Sequence, residues 1–191
     1  MIILGVDPGT LVTGYGVIEI RNGKRTMVAC GMVRNRPDRS MPLRLKAIYE
    51  ELAKVIDTHQ PDEFAIESAF YGKNAQSALK IGHARGVSIL AAVLRQLPTS
   101  EYAPREVKNA VTGNGAATKQ QVRYMVRSIL GLDEAPKGLD VTDALAVAIC
   151  HSYRRRGPAL QKRRRSRSSL KDGGSWGAFV REHPDRILRR A

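Results

Sequence analysis

Four carboxylates in this 191-residue chain have types and spacings that suit a common site: Asp7, Glu67, Asp140 and Asp143. Asp7 and Glu67 each end a short apolar run typical of a buried strand. Asp140 and Asp143 are three residues apart, so they share one face of a helix. Oxygen ligands without histidine or thiolate suit Mg²⁺ or Mn²⁺ better than zinc. Two such ions about 4 Å apart can hydrolyse a phosphodiester, so the four acids predict a two-metal nuclease site.

Each acid taken singly also has a simpler interpretation. Asp7 begins an Asp-Pro-Gly turn, where an aspartate can accept hydrogen bonds from nearby backbone N–H groups. Glu67 can reach solvent at the edge of a strand. Either Asp140 or Asp143 can act only as a favourable charge at a helix N-terminus. These alternatives stay open at the level of the sequence, although two acids on one helix face are more than capping requires.

The elements that must position these acids alternate between strand and helix. A hairpin is predicted around Asn22-Gly23, a strong turn signal between apolar runs. Strands are predicted at 2–7, 14–20, 26–33, 63–70 and 101–103. Helices are predicted at 40–59, 75–96, 104–111, 118–130 and 139–153. This order predicts an α/β fold with a mixed five-stranded sheet flanked by helices, antiparallel on one side and parallel on the other.

Charge divides the chain into two regions. The formal net charge is +14, but 13 of the 32 Lys and Arg residues and only three of the 18 acids lie from Arg154 onward. We therefore predict a nuclease domain at 1–156 and a basic, disordered tail at 157–191. Such a tail can bind nucleic acid phosphates without sequence preference.

The remaining composition limits the class of protein. Cys30 and Cys150 are far apart and the four histidines are scattered, which favours reduced thiols over a zinc site. No signal-peptide pattern opens the chain, and no apolar run approaches the ~18 residues of a membrane span. We therefore predict a cytoplasmic protein with no membrane partner.

The helix predicted at 75–96 has an unusual distribution of apolar residues. Its second half, 87–94, is apolar almost all round. A helix without a polar face must be covered on both sides. The sheet can cover one side, and we predict that a second copy of the chain covers the other in a homodimer.

Several motifs between residues 1 and 153 together resemble the RuvC family of Holliday junction resolvases, which have a ribonuclease H-like fold. Their order, spacing and residue types all agree with that family. They occupy residues 5–10, 13–16, 65–67, 77–80, 84–87 and 140–146. The resemblance implies that the four acids are catalytic and bind two Mg²⁺ ions, for which Mn²⁺ can substitute.

The resemblance also implies a substrate, partners and an activity. Family members act as homodimers on four-way DNA junctions in homologous recombination and DNA repair, work with RuvA and RuvB, and make paired symmetric nicks. It implies DNA contacts at Phe70, Lys73, Asn74, Lys80, Arg85, Lys108 and Lys119. Phe70 would stack on unpaired bases, while Lys108 and Lys119 would approach the scissile phosphate. Core filling by Phe70 and solvated surface lysines are the simpler alternatives.

Two further expectations concern the tail and the glycines. The Arg-rich extension after the last helix departs from typical members of the family, so the resemblance assigns it no role. Gly9 and the hairpin glycines are expected to let a DNA phosphate approach the backbone closely, because glycine has no side chain.

Two other classes of protein share some of these features. Actin-like ATPases also carry an Asp-Xaa-Gly-Thr turn near an N-terminal hairpin, but they need a second lobe that this chain is too short to contain. A non-catalytic DNA-binding module would use the basic tail, yet it would not require all four acids.

Overall fold

A computed structural model describes residues 1–68 and 75–154. The five strands in this part of the chain are β1 (Ile2–Asp7), β2 (Val12–Arg21), β3 (Lys24–Arg34), β4 (Glu63–Glu67) and β5 (Thr99–Tyr102). The five helices are α1 (Met41–His59), α2 (Ala75–Val93), α3 (Pro104–Thr112), α4 (Lys119–Leu130) and α5 (Leu139–Arg154).

The strands form one mixed sheet in the order β3-β2-β1-β4-β5, which confirms the predicted architecture. The pairs β1–β2 and β2–β3 are antiparallel, whereas β1–β4 and β4–β5 are parallel. Val6 pairs with Ile66 in the β1–β4 register. Because parallel strands end at the same edge of a sheet, Asp7 and Glu67 are delivered side by side.

Alternating strand residues divide the core between the two faces of the sheet. Leu4, Val6, Phe64 and Ile66 pack with α1 and α2. Ile3, Ile18 and Ala65 pack with α3, α4 and α5. The most buried helix is α5, in which residues 144–152 are all buried.

Close contact between α5 and the sheet depends on glycines in β1 and β2. A Cβ on Gly5 would lie 2.3 Å from the Ala144 carbonyl oxygen, and one on Gly14 would lie 2.1 Å from the Asp140 carbonyl oxygen. The expectation that the hairpin glycines make room for DNA is therefore wrong, because they make room for α5. A Cβ on Gly9 would point into the turn itself and lie 2.3 Å from the carbonyl oxygen of Val12.

Several predicted boundaries are confirmed and others shift. Asn22 and Gly23 form the hairpin turn with φ values of 51° and 83°. The Thr118 side chain accepts a hydrogen bond from the Gln121 amide, as expected of an N-cap. Ser40 occupies the N-cap position of α1 without a side-chain cap bond. The strand predicted at 63–70 ends at Glu67, and the helix predicted at 75–96 ends at Val93.

Among residues 1–68 and 75–154, no element covers one side of α2. Ala84, Ser88, Ala91 and Ala92 are buried against the domain. The opposite face leaves large apolar side chains exposed at Leu79, Leu90, Val93 and Leu94. The described part of the chain therefore accounts for the apolar residues on the buried face of α2. It does not account for those on the exposed face.

The predictions made for Phe70, Lys73, Asn74 and the basic tail concern positions outside the described residues. The domain boundary at 156/157 therefore stays a prediction. Cys150 is buried, Cys30 is half-buried, and both are free thiols. Among the described helices, none combines the length and apolar character needed to cross a membrane.

Candidate active site

A rigid turn holds Asp7 at the end of β1. The Thr13 hydroxyl donates a hydrogen bond of 2.6 Å to the Gly9 carbonyl oxygen and accepts one of 3.3 Å from the Gly9 amide. The Asn35 side chain donates to the Thr10 carbonyl oxygen at 3.1 Å. Because Thr13 is fully buried, these bonds fix the path of the chain as it leaves the sheet beside Asp7.

Three of the four predicted acids line one cavity of about 250 Å³. Asp7 comes from β1, Glu67 from β4 and Asp143 from α5, which lies across the two strands. The rest of the wall comes from α3 and α4, through Pro104, Val107, Lys108, Lys119 and Val122. The site therefore combines carboxylates with two lysines on an otherwise apolar wall.

Burial and mutual repulsion make two of these carboxyls unusually weak acids. The pKa of Asp7 is raised to about 7, first by burial and then by the charges of Asp143 and Asp140, with Lys119 opposing them. The pKa of Glu67 is raised to about 8, first by burial and then by the charges of Asp7 and Asp143, with Lys119 and Lys108 opposing them. Such shifts are characteristic of functional sites. Because the ionised carboxylates are buried and repel one another, binding a cation beside them would be favourable.

Lys119 already provides one positive charge in the cavity. Its Nζ lies 3.0 Å from Oδ2 of Asp143, whose side chain is only 19% exposed. This hydrogen bond, with the charges of the three aspartates, raises the pKa of the lysine. Thr118 is the N-cap of α4 and directly precedes Lys119, so the cap stabilises the turn that carries this lysine.

Asp140 differs from the other three acids because it does not line the cavity. Its negative charge still contributes to the raised pKa of Asp7. Among residues 1–68 and 75–154, no three acidic, histidine or cysteine side chains stand close enough together to chelate one ion. The donor set nevertheless fits a hard cation, because the cavity offers three carboxylates and no nitrogen or sulfur ligand.

The predicted DNA contacts on α2 have different environments. Lys80 is exposed, which leaves it free to meet a phosphate. Arg85 instead forms an ion pair with Glu101 on β5. The guanidinium of Arg85 is thus already paired, whereas Lys108 and Lys119 line the same cavity as the acids.

Sequence reasoning did not assign the apolar wall of the cavity. Pro104, Val107 and Val122 line it although each belongs to an ordinary amphipathic helix. The sheet topology could have identified this wall. Because β5 runs parallel to β4, α3, which follows β5, must start at the edge of the sheet where Glu67 lies.

The sheet order and the delivery of acids by two neighbouring strands and a crossing helix define a ribonuclease H-like fold. The family model for "Crossover junction endodeoxyribonuclease RuvC" matches residues 3–151. A relative of that name from Chlorobium phaeovibrioides is 48% identical over 192 residues, covering 98% of this chain and 100% of the relative. Another, from Desulforamulus reducens, is 51% identical over 152 residues, 80% of this chain and 93% of the relative. The chain belongs to the RuvC family.

Solved structures agree with this assignment. Thermus thermophilus RuvC in complex with a Holliday junction substrate superimposes with a TM-score of 0.78 at 34% identity, covering 82% of this chain and 95% of that one. The yeast mitochondrial Holliday junction resolvase Ydc2 shares the fold, with a TM-score of 0.56 at 12% identity, covering 78% of this chain and 77% of that one.

The C-terminal extension is aligned in some relatives and not in others. The alignment with the Chlorobium phaeovibrioides relative spans 98% of this chain and the whole of the relative, so it includes most of residues 157–191. The extension therefore has an aligned counterpart in this relative. The shorter Desulforamulus match shows that its extent differs between members.

Proposed function

We propose that this chain is a structure-selective endonuclease that resolves four-way DNA junctions by paired symmetric nicks, in homologous recombination and DNA repair. The supporting observation is the cavity in which Asp7, Glu67 and Asp143 meet Lys108 and Lys119. Carboxylates that attract cations, next to lysines that attract phosphate, suit hydrolysis of a phosphodiester. The Thermus relative bound to a Holliday junction supports the choice of substrate.

Asp7, Glu67, Asp140 and Asp143 would hold two Mg²⁺ ions, with Mn²⁺ as a substitute. When bound, the ions supply activation of a water molecule and stabilisation of the leaving oxygen. The protein's own contribution is to hold deprotonated carboxylates at one edge of the sheet. The apolar wall of Val107 and Val122 excludes water from the back of the cavity and strengthens the electrostatic interactions within it.

The two lysines would act on the substrate strand. Lys119 already neutralises Asp143 across 3.0 Å, and its flexible ammonium can exchange that carboxylate for a phosphate oxygen. Lys108 opposes the raised pKa of Glu67 from the α3 side. Together they offset the repulsion between a carboxylate site and the DNA backbone.

Recognition of the junction would involve residues on and before α2. We propose that Phe70 stacks on bases unpaired at the crossover, which typically contributes ~1–3 kcal/mol per base. Lys73, Asn74 and Lys80 would contact the backbone nearby. Arg85 is the weakest member of this group because it is already paired with Glu101.

A homodimer would supply two equivalent sites for two symmetric cuts. The exposed apolar face of α2 supports this assembly, because Leu79, Leu90 and Val93 follow one another along the helix with Gly82 and Gly86 between them. A Cβ on either glycine would meet no atom of the described residues within 4 Å, so a partner helix would have space to approach there. RuvA and RuvB remain proposed partners by family membership.

The experiment is cleavage of a synthetic four-way junction in Mg²⁺ by the wild-type protein, Asp7→Asn and Asp38→Asn. Asp38 is an exposed acid paired with Arg36, outside the cavity, so its substitution is the matched control. We expect Asp7→Asn to bind the junction without cutting it, while Asp38→Asn retains full activity. Normal cleavage by Asp7→Asn would exclude the carboxylate mechanism. Binding without cleavage by the wild-type protein would favour the non-catalytic module, and junction-independent ATP hydrolysis would favour the actin-like alternative.

A further inference from the structure

A chain of buried polar side chains lies near the C-terminal end of α5, at the opposite end of the helix from Asp143. The Tyr102 hydroxyl lies 2.7 Å from Nδ1 of His151, and Nε2 of His151 bonds the carboxylate of Glu63. The three residues are only 5%, 4% and 8% exposed, respectively. Buried polar groups are costly unless they are hydrogen-bonded, so such a network strongly restricts the arrangement of the elements that carry it.

Glu63 and His151 belong to the two elements that carry Glu67 and Asp143. Glu63 begins β4 and Glu67 ends it, which is a span of about 13 Å for four residues of strand. Asp143 lies near the start of α5 and His151 eight residues later, which is a span of about 12 Å along a helix. Because the two spans match, the bond between Glu63 and His151 at one end sets Asp143 opposite Glu67 at the other.

Tyr102 connects the same network to the site through its main chain. Its carbonyl oxygen accepts a hydrogen bond of 2.8 Å from the Ser68 amide and one of 3.2 Å from the Ser68 hydroxyl. Ser68 directly follows Glu67. Two residues after Tyr102, Pro104 lines the cavity. The side chain of Tyr102 therefore holds α5, while its backbone holds the end of β4.

Apolar packing alone does not determine the position of α5 along β4. Residues 144–152 are all buried and mostly small, so a shifted helix would still bury apolar surface. The glycine contacts position α5 against β1 and β2. Directional polar bonds supply the corresponding constraint on the side of β4 and β5, where Glu67 lies.

We propose that Glu63, His151 and Tyr102 are positioning residues that set the register of α5 on β4 and thereby the separation of Glu67 and Asp143. This role rests on the proposed function for its effect on cleavage. Its structural part, the anchoring of Ser68 and the end of β4, is independent of DNA and metal ions.

The test compares Tyr102→Phe and Glu63→Leu with the conservative variant Glu63→Gln, which keeps an acceptor for His151. Three quantities are measured: the single-turnover cleavage rate of a four-way junction at saturating protein in Mg²⁺, the junction Kd, and amide hydrogen exchange at Ser68 in metal-free protein. Ile48→Val, in the core on the opposite face of the sheet, is the control for lost stability.

We expect Tyr102→Phe and Glu63→Leu to lower the cleavage rate by about tenfold or more, since small misplacements of reacting groups are costly. The junction Kd should stay within about twofold because phosphate contacts supply most affinity. Exchange at Ser68 should accelerate by about tenfold, the expected effect of losing about 1.4 kcal/mol of local protection. Glu63→Gln and Ile48→Val should resemble the wild-type protein in all three measurements.

Unchanged cleavage and unchanged Ser68 exchange in folded Tyr102→Phe would overturn the proposal, as would an equal loss of cleavage in Ile48→Val. If the wild-type protein fails to cut junctions, the proposed function fails instead. The Ser68 exchange rates would then still decide whether the network positions the end of β4.

Discussion

Nζ of Lys119 lies 3.0 Å from Oδ2 of Asp143, so a lysine on α4 neutralises an acid on α5 inside the cavity. The same ammonium opposes the raised pKa of both Asp7 and Glu67. Repulsion among the acids in the folded protein can be reduced by the Lys119 ammonium, by protonation of Asp7 and Glu67, or by bound metal ions. This balance leads to a prediction about pH.

Metal-free protein should lose stability as pH rises from about 4 to about 8. Asp7 and Glu67 have pKa values of about 7 and about 8 in the folded state, against ordinary values of 3.8 and 4.5. The folded state therefore holds protons more tightly than the unfolded chain, and that advantage disappears as pH passes the folded pKa values. At pH 8.5 in EDTA, we expect the free energy of unfolding of Asp7→Asn, measured by urea titration, to exceed that of the wild-type protein by about 2 kcal/mol.

At pH 5 the difference between Asp7→Asn and the wild-type protein should shrink, because the Asp7 carboxyl is then protonated. Asp38→Asn serves as the control and should show no comparable pH dependence. A destabilised Asp7→Asn at pH 8.5 would show that Asp7 makes interactions in the folded state that outweigh its burial and repulsion.

Gly5→Ala should destabilise the fold by about 3 kcal/mol or more, since overpacking against a rigid backbone cannot relax easily. The new Cβ would lie 2.3 Å from the Ala144 carbonyl oxygen and 2.7 Å from the Ala148 amide nitrogen. Gly31→Ala is the matched control, because its Cβ would meet the movable phenol end of Tyr15 at 2.4 Å. Urea unfolding of both variants measures the difference, and equal losses would contradict the main-chain contact as the cause.

Leu90→Lys should convert a dimer into a monomer at micromolar concentration. Leu90 is 49% exposed in the middle of the apolar face of α2, and a charge at the centre of an interface would be buried without a partner. Leu43→Lys is the control, because Leu43 is 48% exposed but lies on α1. Light scattering or sedimentation checks the masses; a monomeric wild-type protein would remove the dimer hypothesis.

Deletion of residues 157–191 should weaken junction binding and flatten its dependence on salt. The deleted segment contains ten Lys and Arg residues and three acids. Each neutralised phosphate releases counterions, so losing cations reduces the slope of log K against log salt. Junction titrations at several salt concentrations measure this slope, while thermal unfolding checks that residues 1–156 still fold. A truncated chain that cannot fold would show that the extension belongs to the domain.

The sequence was informative where a short stretch determines its own structure. The apolar run ending in Asp7, the Asn22-Gly23 turn and the Thr118 cap depend on neighbours within a few residues, and each was predicted correctly. Asp140 and Asp143 were placed on one helix face for the same reason. The match of family motifs then identified the lysines at the site, which spacing alone would have left as surface residues.

Only the tertiary structure revealed contacts between residues far apart in the chain. Gly14 and Gly16, two of the hairpin glycines, were assigned to DNA approach because nothing local shows that α5 packs on them. The bond between Glu63 and His151 joins residues 88 positions apart, and no periodic pattern encodes such a pair. The sequence therefore singled out the four acids, of which Asp7, Glu67 and Asp143 line one cavity. Their separation and charge depend on how α5 packs across the sheet, because only packing brings distant side chains within electrostatic range.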